Sequence, residues 1–159
     1  RINEILRGWG FAVTELRYQS WTPPDPKEYA VSTALEMATL LERLDAGKLL
    51  SPKSSMAAMK HLQEQQDHAQ LARWLPYHEY HQRTELINEL SIWNKTGMMA
   101  GVRTDAAIFS VRSEKWVVAS FTRDSIDHSF RLDHEGILLN ARTGLALYDA
   151  WGRPALEEE

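Results

Sequence analysis

The 159-residue chain has no cysteine. Disulfides and thiolate metal sites are excluded, while the compartment stays open, because a cysteine-free chain suits oxidising and reducing surroundings alike. An excess of positive charge is missing too. Eighteen Lys and Arg against 22 Asp and Glu leave a formal charge of −4, the wrong sign for a general phosphate-backbone binder, so no nucleic-acid partner is expected. No run approaches the ~18–20 consecutive apolar residues of a helical membrane span, and none is expected. The opening Arg1-Ile2-Asn3-Glu4 reads as an amphipathic helix rather than a signal peptide. With only 8 Gly and 6 Pro, collagen-like and low-complexity classes fall away. What is there, 43% hydrophobic residues against 25% charged, fits one packed unit stabilised by burial. The whole of 1–159 is read as that unit, and Arg1 in place of Met marks it as an incomplete segment of something longer.

Ile2, Ile5 and Leu6 fall at helical spacing, with Gly8 or Gly10 to end the helix. From Arg17 to Tyr29 three prolines and no helical period mark a loop. Ser32 or Thr33 can cap the next helix, with Glu36 completing a capping box after Thr33 and Gly47 as the stop. Ser51-Pro52 starts another helix, lined on one side by Met56, Met59 and Leu62 and fading near Gln65-Gln66. The stretch from Asp67 to Glu89 reads as loop with short helical turns. Ile92–Lys95, Asp105–Val111 and Trp116–Thr122 are rich in β-branched and aromatic residues and read as strands, the last two joined by the polar connection Arg112–Lys115 into a hairpin. Asp133 then caps a helix running through Ile137, Leu138, Ala141, Leu145, Tyr148 and Trp151. Helices followed by a three-stranded antiparallel sheet and a closing helix make an α+β fold, with helices packed on the sheet.

Lys95-Thr96-Gly97 ends the first strand. A cation, a hydroxyl and a residue that admits close backbone approach can together hold a carboxylate, although a tripeptide of this kind also simply ends strands. Its surroundings are more specific. KTGMMAGVRTDAAIF followed by WVVASFTRD, with STALEMATLLERLDAGKLLSP upstream, resembles the C-terminal half of class A β-lactamases and related penicillin-recognising serine hydrolases. The resemblance implies the C-terminal part of the β-lactamase/transpeptidase-like fold and a role in hydrolysing amides of the β-lactam or D-Ala-D-Ala kind. Lys95, Thr96 and Gly97 would then bind the substrate carboxylate, the backbone N–H of Met98 would form half of an oxyanion hole, and Arg103 would support carboxylate binding unless it merely pairs with Asp105. A β-lactam or peptidoglycan-like ligand, no cofactor, and a periplasmic or extracellular location follow from the same likeness.

Two departures qualify it. No Ser is followed three residues later by Lys, and no Ser-Asp-Asn occurs, so the nucleophile must come from elsewhere, such as a second chain or a swapped protomer. Arg17-Tyr18-Gln19-Ser20 aligns with the family's Arg-aromatic-Glu-Pro. Gln19 thus stands where a glutamate would activate the deacylating water, and an amide cannot accept that proton. The alternative is a non-catalytic penicillin-binding-like or protein-interaction module that kept the scaffold. His78, Glu79 and His81 lack a clear ligand set, so no metal is expected. His61, His68, His128 and His134 read as ordinary polar residues, and Trp93, Trp116 and Trp151 as packing.

Overall fold

A computed structural model describes residues 1–17, 30–76, 90–112 and 114–153. Its centre is an antiparallel meander of β3 (Leu90–Met99), β4 (Val102–Val111) and β5 (Glu114–Thr122), in the order β3-β4-β5. Each strand begins before the expected apolar run. For β4, and for the extension of β3 to Met99, the reason is the turn at Ala100–Gly101, with Gly101 at φ 69°, which folds Lys95–Met99 back on Val102–Ala106 so that Met99 pairs with Val102. The second hairpin is also tighter than the expected Arg112–Lys115 connection, because Glu114 already pairs with Val111 and Lys115 with Ser110.

Alternation of side chains gives the sheet two faces. On one, Trp93, Ala106, Ile108, Val117 and Ala119 pack against Met37, Leu40 and Leu41 of α2 (Ala34–Asp45) and Met59 and Leu62 of α3 (Pro52–Gln63). On the other, Leu90, Ile92, Ala107, Phe109 and Val111 pack against Leu71, Ala72, Leu75 and Tyr148. The closing helix, Glu135–Leu147, lies across this second face against β4 and β5. Gly144 permits the approach: a Cβ there would sit 1.9 Å from the Leu71 carbonyl oxygen. Helix Ile2–Gly8 (α1) and a two-stranded ribbon of β1 (Glu15–Leu16) and β2 (Ala30–Val31) complete the described residues. The closing helix is α4 below. No described helix is long and apolar enough to cross a membrane.

The helix ends correct several expectations. Thr33 caps α2 by accepting from the Glu36 N–H at 3.1 Å, but the Glu36 carboxylate does not reach back to close the box. It turns instead to the Val13 and Thr14 N–H groups, at 2.9 and 2.6 Å, and to the Thr14 hydroxyl, tying α2 to the segment before β1. The Thr14 hydroxyl is the main reason its pKa is pushed down to about 2. Ser51 caps α3 with Pro52 in the first turn, as expected. Met56 is not on the packed side; it is 74% exposed, and Ser55 takes the buried position. Asp133 does not cap α4. It pairs with Arg131 on the surface, and the cap is His134, whose Nδ1 accepts from the Gly136 N–H at 3.0 Å while Nε2 donates to the Asp127 carbonyl at 2.7 Å. His134 is therefore a fully buried structural residue rather than an ordinary polar one. Past Leu147 the chain winds into a π-helical turn, Tyr148–Gly152, where half-exposed Trp151 meets Trp116 edge-on at 6.1 Å.

Candidate active site

The Lys-Thr-Gly sequence occupies the outer part of β3, and β3 is an edge strand among the described residues. The peptide groups it presents follow from the register. In an antiparallel pair, residues that exchange hydrogen bonds alternate with residues that do not. Met99 and Val102 flank a two-residue turn and form a bonded pair, so Met98 opposite Arg103 and Thr96 opposite Asp105 are non-bonded pairs. The Met98 N–H and the Thr96 carbonyl accordingly face away from β4, off the free edge. The Lys95 ammonium folds onto that edge and donates to the Thr96 carbonyl at 2.5 Å. Gly97 faces Thr104, where a Cβ would lie 2.5 Å from the Thr104 hydroxyl, so glycine lets the two strands close here.

Lys95 and Thr96 project to opposite faces. Lys95 is exposed on the α2/α3 side, whereas Thr96 points to the α4 side and is largely buried. There the Thr96 hydroxyl donates to Asp67 Oδ2 at 2.7 Å. Beside it Asp105, fully buried, accepts from the Leu71 N–H at 3.0 Å and from Asn94 Nδ2 at 3.2 Å. Burial pushes the Asp105 carboxyl up to about 6, since the Leu71 and Asn94 hydrogen bonds offset only part of the desolvation cost and the Asp67 charge adds to the rise. A second chain of polar groups runs from Ser120 to Asn140 (2.7 Å), from Asn140 to Gln70 (2.7 Å) and from Gln70 to the Gly97 carbonyl (3.4 Å). Segment 67–71 is thus stapled to the back of the Lys-Thr-Gly strand at several points.

The structure does not bring Arg103 and Lys95 into one pocket. Arg103 shares its face with Thr96 and is fully buried. Its guanidinium donates to the Met99 and Val102 carbonyls, each at 2.6 Å, and to the Ser129 carbonyl, with Phe130 over it at 5.3 Å. The alternative pairing with Asp105 is not formed either, because each of the two turns to the partners just named. Arg103 instead fastens the β3–β4 turn to the loop before α4. Gln19 and the cluster of His78, Glu79 and His81 lie outside the described residues. Sequence reasoning passed over Asp67, Gln70 and Asn140, and took Asp105 only as a partner for Arg103. The available signal was polar residues at β-period positions 94, 96, 103 and 105, on a strand face otherwise apolar.

A family model described as the beta-lactamase enzyme family matches residues 1–151. The chain belongs to that family. Solved structures agree in fold. A beta-lactamase from Sphaerobacter thermophilus superposes with a TM-score of 0.71 at 23% identity, over 91% of this chain and 51% of its own. A PBP-A variant captured as an acyl-enzyme complex with penicillin G gives 0.72 at 21% identity, over 96% and 51%. A beta-lactamase from Chitinophaga pinensis gives 0.72 at 19%, over 94% and 54%. The chain thus spans about half the length of these neighbours. No curated protein matches it. The α+β arrangement and the likeness to the C-terminal half of the fold, read from the Lys-Thr-Gly strand and its surroundings, agree with these findings.

Proposed function

We propose that this chain supplies the carboxylate-binding strand and half of the oxyanion hole of a serine acyl hydrolase acting on β-lactam or acyl-D-Ala-D-Ala-like amides. The observation that carries the reading is the outer edge of β3, unpaired among the described residues, where the Lys95 ammonium and the outward Met98 N–H stand within one short stretch of extended backbone. A ligand lying along that edge places an anionic group at Lys95 and its amide carbonyl at Met98. When a nucleophile adds to that carbonyl, charge develops on its oxygen, and a fixed N–H stabilises it more than it stabilises the ground state. The nucleophilic serine comes from outside these 159 residues, in a further segment or a second chain, since no Ser-x-x-Lys is present. Arg103 acts in this reading by holding the turn that positions Met98, not by touching the ligand.

The test is binding of benzylpenicillin to the protein, followed by amide NMR at Met98. Charge-assisted hydrogen bonds are worth roughly 1.5–3 kcal/mol, so Lys95→Ala weakens binding about tenfold or more. Unchanged affinity overturns the reading. A second reading, a scaffold that binds without turnover, is favoured by Gln19 at the position of the deacylating glutamate; a full-length product that acylates with a chromogenic β-lactam but does not turn over would establish it.

A further inference from the structure

Resting on the reading of the β3 edge as a carboxylate site, we propose that Asp67 is a specificity-determining residue that holds the Thr96 hydroxyl against anionic ligands. A threonine hydroxyl has one proton to donate. In this structure that proton goes to Asp67 Oδ2 at 2.7 Å. Asp67 is itself fixed: its Oδ1 accepts from the Ala69 N–H at 3.1 Å and its carbonyl from Asn94 Nδ2 at 3.4 Å. The Lys95 ammonium, on the other face, is turned to the Thr96 carbonyl and does not neutralise Asp67 by a direct ion pair. A ligand carboxylate arriving at Thr96 meets a carboxylate already in possession of the donor, and must displace it against like charge. A ligand bearing a neutral hydroxyl or amide there meets no such opposition, because it can donate to Asp67 while leaving the Thr96 bond intact. The residue therefore biases the site toward ligands uncharged at that point.

The test compares benzylpenicillin with its methyl ester, followed by the Met98 amide signal in the unaltered chain, in Asp67→Asn and in Asp67→Ala. Asp67→Asn keeps an oxygen for the Ala69 N–H, and an unshifted Leu71 amide reports that the 67–71 segment is still seated. Loss of a charge-assisted competitor raises benzylpenicillin affinity about tenfold, more in Asp67→Ala than in Asp67→Asn, and leaves the ester within about twofold. Adding Thr96→Val cancels the gain. Equal or weaker benzylpenicillin binding in both Asp67 variants, while Lys95→Ala still weakens it about tenfold or more, overturns the role of Asp67 alone. Indifference of every variant to both probes overturns the edge as a ligand site, and this inference with it.

Discussion

The two faces of the sheet are built on different principles. The α2/α3 face is apolar where the helices cover it, with Trp93, Ala106, Ile108 and Val117 meeting leucines and methionines. The α4 face changes character half-way: Leu90, Ile92, Phe109 and Val111 at one end give way to Asn94, Thr96, Arg103 and Asp105 at the other. An apolar face can exchange one hydrocarbon for another of similar volume at little cost. The polar end cannot, because each buried donor and acceptor there depends on a particular partner. The comparison teaches that the candidate site rests on the less forgiving half of the core.

Three measurements sharpen or break that contrast. The largest effect is expected from Arg103→Leu, which removes the side-chain donor to the Met99, Val102 and Ser129 carbonyls together. It should destabilise by about 4 kcal/mol in denaturant unfolding, against about 1 kcal/mol for the volume-conserving Ile108→Leu on the other face. Similar losses at the two positions would erase the distinction. Next, Gly144→Ala drives a methyl into the Leu71 backbone carbonyl, which no rotamer change relieves. About 3 kcal/mol should be lost, with faster amide exchange at Leu71.

The smallest effect is a pH dependence. Asp105 has its folded pKa raised from 3.8 to about 6, so between these values the folded protein binds more protons than the unfolded one. Its contribution to stability is then present in full below about pH 4 and is lost as pH rises through about 6, by roughly 2–3 kcal/mol in total. Asp105→Asn should flatten that slope in thermal melts taken from pH 4 to 7. A slope of opposite sign at Asp105 would mean its hydrogen bonds outweigh burial.

Much of the framework was legible because local rules decide it. Ser51-Pro52 and Thr33 start helices, Gly47 at φ 66° ends one, and the β-branched runs of β4 and β5 pair across a short turn. The reach of β3 was not, since Lys95-Thr96-Gly97-Met98 has little intrinsic strand preference and is extended by pairing with β4. The cap of α4 went to His134 over Asp133 because a buried imidazole can bridge Asp127 and Gly136 at once, a tertiary reward that no local pattern shows. Arg103 misled for a related reason. An arginine among Gly, Thr and Asp reads as exposed, and only the carbonyls of the turn and of Ser129 explain why it is interior.

The two-residue turn at Ala100–Gly101 also bears on how the molecule assembles. The β3–β4 and β4–β5 contacts start from neighbours only three residues apart and zip outward, which keeps loop-closure entropy small and pairing fast. The bond from Asn140 to Gln70 spans seventy residues, and that from Asp67 to Thr96 twenty-nine. The meander can therefore exist before its polar end is latched, and segment 67–71 joins a sheet already formed. By the same ordering, releasing that segment from its latch would leave the pairing of the Lys-Thr-Gly strand itself intact.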